Sequence, residues 1–326
     1  MSPARAKAPL FPYIVMFYVI AGHLLLSGIS VYAVLHRPVS ADYEQYHDML
    51  LYSMLGGYAG FLVVLAAFGF AATQWMLERR SAARLPGFAA PLIGLLSVLL
   101  AVAWGVGSTF LLEWIRALTS GAGLQFALTV NVLLGYLVGP LWIVLSVSLV
   151  FRLLRSREVR ASFPTEVRGS ALLIVALFAW AWVTLAVRLA TPVAAHYFGE
   201  DIGLSTIYLW PYVGCFVLVL PPFLGALWGL PASMRVARPV RLWLVATLAM
   251  LVTAASMVAL TFAAVYLAQH FIDGFAPGIG FSVLLALVWF IVSTPLCGLL
   301  VRALTRTPGL PESNDYADRR LPDFVH

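Results

Sequence analysis

A chain of 326 residues with 62% hydrophobic and only 10% charged residues lies far outside the soluble globular range, where about half the residues are apolar and about a quarter charged. This composition excludes a water-soluble domain, because the apolar surface exceeds what the chain can bury on itself, and lipid is the solvent that accepts the excess. The net charge of +6 is almost all arginine, with Lys7 the single lysine; no separate basic domain gathers it, which argues against nucleic acid as a partner.

A membrane-crossing helix needs roughly 20 predominantly apolar residues, and eight stretches qualify. Arg5 and Lys7 precede the first, 11–35. It is too long for the core of a secretory signal and has no clear small-residue cleavage site, so it reads as an uncleaved first span. His23 lies near its middle, with Ser27 four residues on. A loop carrying His36, Arg37, Asp42, Glu44, His47 and Asp48 leads to the second stretch, 49–76, which holds Gly56-x-x-x-Gly60 and ends near Gln74. Arg79, Arg80 and Arg84 follow, then the third stretch, 88–112, with Glu113 and Arg116 beyond it. The fourth, 125–151, contains Asn131 and Gly135-x-x-x-Gly139 and runs into Arg152, Arg155, Arg157, Arg160 and Arg168.

The fifth stretch, 169–193, has Arg188 in its last third and is followed by His196, Glu200 and Asp201. The sixth, 206–229, contains Pro211, Cys215, the pair Pro221-Pro222 and Gly225-x-x-x-Gly229. Proline within a span removes a backbone donor and clashes with the preceding turn, so a kink or break is expected there. Arg235, Arg238 and Arg241 lead into the seventh, 241–268, with His270 and Asp273 after it. The eighth, 280–304, contains Cys297. The polar, proline-containing segment 305–326 reads as a disordered cytoplasmic tail. Continuous apolar runs without period-two alternation argue for helices over a closed barrel, so the expected fold is an all-α integral membrane protein of about eight transmembrane helices.

Orientation follows from the arginines. With the N-terminus inside, the alternating loops place 17 of the 20 basic residues on the inner side and leave Arg37, Arg116 and Arg188 outside. Acidic residues divide evenly, so the inner face is net +10 and the outer face net −4. Such a split is the positive-inside pattern, with both ends in the cytoplasm. The arginine, alanine, leucine and valine load fits a high-GC bacterium, and the chain is expected in its inner (cytoplasmic) membrane. The basic inner face is expected to meet anionic lipid headgroups.

The chain also divides in two. At a shift of 157, Ile115, Gly121, Gly123 and Leu128 meet Ile272, Gly278, Gly280 and Leu285. At 154, Tyr58, Gly60 and Val63 meet Tyr212, Gly214 and Val217; at 155, Pro140-Leu141 meets Pro295-Leu296. These matches keep their order. They imply a 4+4 internal repeat: a first four-helix half at 1–154, a basic cytoplasmic linker at 155–168, a second half at 169–304 and the tail at 305–326. Because the repeat unit has an even number of spans, the halves run parallel, and a shared site belongs near their interface.

Polar groups in hydrocarbon are expensive and mark candidate sites. His23, Asn131 and Arg188, with the broken helix at Pro221 and Pro222, form the expected ligand-binding set. His23 fits a metal ligand, a haem ligand or a proton carrier, or a neutral imidazole hydrogen-bonded to a carbonyl or Ser27. The outer histidines His36, His47, His196 and His270 are weak metal candidates, since no pair has a ligand spacing such as HxxxH. Cys215 and Cys297 lie in apolar segments and read as small buried hydrophobes.

Walker, HExxH and DDxxD motifs are absent from the sequence, as are paired mid-membrane histidines. No catalytic residue and no cofactor is therefore expected, and membrane lipids and a protein subunit are the candidate partners. The leading expectation is a permease-like protein with a site between the halves. A non-catalytic membrane subunit or scaffold is the first alternative, and a redox or lipid-modifying membrane enzyme the second.

Overall fold

The computed structural model describes residues 9–36, 44–118, 140–160, 168–198, 218–232, 234, 239–271 and 279–305. It is a helical bundle. In chain order the helices are α1 (Phe11–Leu35), α2 (Glu44–Arg80), α3 (Ala89–Leu118), α4 (Pro140–Leu153), α5 (Gly169–Phe198), α6 (Leu220–Gly229), α7 (Pro239–Phe271) and α8 (Ile279–Thr305). Each expected stretch contains helix. The second helix extends past 49–76 at both ends, and the described helix of the sixth is confined to its last ten residues. Among the described residues, four helical stretches are long and apolar enough to cross a membrane: Phe11–Ala33, Ala89–Leu111, Val240–Phe271 and Leu284–Thr305. Pro140–Leu153 and Gly169–Leu185 are shorter apolar helices.

The outer surface explains why these helices need lipid. Phe17, Leu24, Leu25, Ile29 and Tyr32 stand exposed along α1; Leu251, Val258, Phe262 and Tyr266 do so along α7. In water, each large side chain left out in this way would forgo about 2 kcal/mol of burial. The chain is a helical membrane protein whose apolar residues occupy the outer face as well as the core.

The core lies along α2 and α5. Leu65, Phe68, Ala71, Ala72 and Thr73 of α2, with Leu172, Val175, Ala176, Ala179 and Trp180 of α5, are buried. Helix α2 is enclosed because it packs on α1, α5 and α6, and a Cβ on its Gly69 would come within van der Waals range of Val19 on α1 and Ile143 on α4. Glycines bring other pairs together. A Cβ on Gly94 of α3 would fall 2.7 Å from the Tyr18 carbonyl oxygen of α1, and one on Gly225 of α6 would fall 2.7 Å from the Cys297 Cβ of α8. Small residues let backbones approach where hydrophobicity gives no preference between helix and lipid. The expected Gly225-x-x-x-Gly229 contact is thus a real seam, with α8 as the partner. Gly56 and Gly60 lie on α2; Gly135 and Gly139 lie outside the described residues.

Helix ends of alternating direction meet at one end of the bundle. The Phe11 ring at the start of α1 lies 6.4 Å from Phe151 at the end of α4. Past the end of α2, Ser81 adopts φ 51, and the chain reverses into β1 (Ala82–Arg84), which pairs antiparallel with β2 (Val159–Arg160). This short irregular ladder, Ala82 opposite Arg160 and Arg84 opposite Val159, is a small departure from the all-helical expectation. The Glu78 carboxylate accepts hydrogen bonds from the backbone N–H groups of Gly169 (2.9 Å) and Ser170 (3.3 Å), which caps the start of α5. Arg168 donates to the carbonyls of Leu227 (2.5 Å) and Leu230 (3.0 Å) at the end of α6. Arg241, near the start of α7, donates to the Leu304 carbonyl near the end of α8. A carboxylate at a helix start and a guanidinium at a helix end each satisfy orphan backbone groups and complement the helix dipole.

Candidate functional site

Two concave regions flank α2. The first is an open apolar cleft of about 280 Å³, lined by Met16 and Ile20 of α1, Leu62, Val63, Ala66 and Ala67 of α2, and Leu220, Phe223 and Leu224 of α6. It lies among α1, α2 and α6. Its α6 wall exists because of the proline pair. The helix begins at Leu220 after a turn at 218–219, with Pro221 and Pro222 buried in its first turn. There a missing N–H is harmless, because first-turn donors have no intrahelical acceptor. The prolines therefore stand in the first turn of the described helix, and the rest of the sixth stretch, 206–217, lies outside the described residues.

The second region is polar, about 650 Å³, at the end of the bundle where α2 and α4 finish. Arg79 and Arg80 of α2, Arg152 of α4 and Arg155 of the following 3-10 turn line it, with Trp75, Ser148, Ser156 and Glu158. Four guanidinium groups face one carboxylate. Arg80 holds Glu158 at 2.6 Å, and the Arg79 guanidinium sits 5.8 Å from the centre of the Trp75 ring. Among the described residues, Arg152 and Arg155 have no ion-pair partner. The β1–β2 ladder ties the segment after α2 to the segment after α4, which places these arginines around one volume.

Of the expected ligand-binding set, the side chains of His23, Pro221 and Pro222 fall within the described residues. His23 is 6% exposed, and its Nε2 lies 3.3 Å from Ser97 Oγ on α3; Ser27 Oγ donates instead to the His23 carbonyl at 2.8 Å. The imidazole thus closes a seam between α1 and α3. Pro221 and Pro222 lie beside the apolar cleft. Asn131 lies outside the described residues, and of Arg188 only its place on α5 is described.

Of the histidines considered as metal candidates, His36 stacks on Tyr32 with centroids 3.9 Å apart, and His270 lies 6.4 Å from Tyr266. His47 and His196 are described only as parts of α2 and α5. Among the described residues no three His, Cys, Asp or Glu side chains gather where a metal ion would sit. Cys297 is buried and lies 3.2 Å from Thr253 Oγ1 on α7.

Sequence reasoning assigned the arginines to topology and missed that four of them surround a cavity. A partial signal was present. Arg152 and Arg155 are three residues apart, a spacing that would bring side chains to one side if the helix continued. The turn after α4 and the ladder with β1 had no such signal. No protein-family model, no curated protein and no solved structure matches the chain.

Proposed function

We propose that the chain is a permease-like membrane protein of eight spans in two parallel halves, with both ends in the cytoplasm and its substrate path along the cleft between α1 and α6. The observation that carries this reading is the contrast between the two lines along which the halves meet. Along α2 and α5 they are joined by buried side chains and by the Glu78 cap on Gly169 and Ser170. Along α1 and α6 they are separated by the cleft of about 280 Å³. A closed seam beside an open one is the arrangement for rocking one half against the other about α2 and α5.

Several features support the finer parts. Helix ends that alternate along the chain meet at the arginine-bearing end, which supports eight crossings; the positive-inside rule makes that end cytoplasmic. In the first half α1 contacts both α2 and α3; in the second, α5 contacts both α6 and α7. Gly69 of α2 faces Ile143 of α4 as Gly225 of α6 faces Cys297 of α8. These positions are 156 and 154 residues apart, in line with the shifts seen in the sequence. On this reading His23 serves packing between α1 and α3. The hydrogen-bonded His23–Ser97 seam also favours the second reading, a non-catalytic subunit with a packed interior.

Cysteine accessibility separates the two. In a background with Cys215 and Cys297 replaced by alanine, Ala66→Cys and Leu224→Cys are treated with a membrane-impermeant maleimide from each side. Leu25→Cys, on the lipid-facing surface of α1, is the control. Reaction of the cleft positions from at least one side, well above the control, is the expected result. Labelling no greater than the control from both sides would overturn the permease reading in favour of a subunit.

A further inference from the structure

The arginine cavity continues into a second concavity. An apolar groove of about 500 Å³ runs along α4, lined by Leu141, Trp142, Val144, Leu145 and Leu149, and it shares Ser148 and Arg152 with the cavity. We infer that the two together bind an anionic lipid of the arginine-side leaflet, its phosphate in the cavity and one hydrocarbon chain in the groove.

The chemistry of the two compartments matches a single amphiphile. Four guanidinium groups face one carboxylate in the cavity, and Arg80 already holds that carboxylate. Arg152 and Arg155 are both exposed and, among the described residues, without an ion pair, so two guanidinium groups are available to a phosphate. Guanidinium matches phosphate oxygens geometrically and is weakly hydrated for a cation, which favours it at such a site. Ser148 and Ser156 add hydroxyl donors at the mouth.

Length matches as well. From Leu141 to Arg152 the groove follows 12 residues of α4, a rise of roughly 16 Å at about 1.5 Å per step. One leaflet of hydrocarbon is about 15 Å deep, half of a core about 30 Å thick. A free phosphate would fill the cavity and leave the groove empty. The shared Ser148 and Arg152 put the polar end of a lipid at the water boundary and its chain along the helix. This inference does not depend on the transport reading, since a subunit would hold a lipid in the same place.

The test is native mass spectrometry of the full-length protein in detergent, titrated with phosphatidylglycerol or phosphatidylcholine of the same chains. Phosphatidylglycerol is expected to bind in preference to phosphatidylcholine. The variant Arg152→Gln/Arg155→Gln is expected to bind it about tenfold more weakly. Leu145→Trp fills the groove without changing charge and is expected to weaken binding by a similar factor. All three substituted positions are exposed, so folding should survive, and an unchanged melting temperature checks this. Glycerol 3-phosphate and inorganic phosphate are expected not to compete. If they do compete, and Leu145→Trp has no effect, the cavity is a soluble-anion site and the inference fails. Equal binding of the two lipids, or binding insensitive to both variants, overturns it outright. Failure here leaves the cysteine accessibility of the α1/α6 cleft unaffected, so the two readings fall separately.

Discussion

The α2/α5 seam and the α1/α6 cleft are built differently. Along α2 and α5, Trp180, Phe68 and Leu172 are fully buried, Gly169 touches the α2 backbone, and Glu78 caps the facing helix. Along α1 and α6, the walls are the apolar side chains of Met16, Ile20, Leu220, Phe223 and Leu224 around empty volume. The difference shows what holds helices together in lipid. Apolar side chains alone do not close a seam, because lipid tails satisfy them equally well. Close backbone approach and polar contacts at the water boundary do close it.

The largest expected effect breaks the closed seam. A Cβ on Gly169 would lie 2.6 Å from the Gln74 carbonyl carbon and closer still to the Trp75 backbone nitrogen, so α5 would have to move away from α2. Gly169→Leu should cost about 3 kcal/mol or more, read as a lowered melting temperature in detergent; a melting temperature equal to wild type would refute the contact. Next, Glu78→Ala leaves two N–H groups without their charged acceptor. It should cost about 2 kcal/mol, and Glu78→Gln, which keeps an acceptor, should recover about half.

A smaller effect is expected between α1 and α3. A double-mutant cycle on His23→Ala and Ser97→Ala should give a coupling of about 0.6 kcal/mol. Coupling of several kcal/mol would mean that His23 has a role beyond joining α1 to α3. The smallest stability change belongs to the open seam. Ala66→Leu fills the cleft and should shift stability by less than about 0.5 kcal/mol, yet it should block maleimide reaction at Leu224→Cys. A large destabilisation would mean that the cleft is already tightly packed.

Much of the architecture was legible without coordinates. Helix positions followed from apolar run length, and charges at the ends of α2, α4 and α5 marked the end where the polar contacts form. The partners of individual polar groups were not legible. Ser27 sits one turn from His23 and looked like its partner, but the imidazole reaches Ser97, 74 residues away. For the sixth stretch a kink or break was expected at the prolines; Pro221 and Pro222 lie in the first turn of the described helix, and residues 206–217 lie outside the described residues.

Composition and charge alone therefore determined the solvent, the helical character and the face on which arginines gather, because these depend on each residue's own transfer energy. Tertiary structure decided which helix touches which, where α4 leaves a groove, and that Arg79, Arg80, Arg152 and Arg155 enclose one cavity. In a soluble protein an amphipathic stripe announces the buried face of each helix. In lipid both faces are apolar, so the sequence has no such stripe. Contacts are then selected by shape, by glycine clearance and by a few polar groups whose partners lie far along the chain.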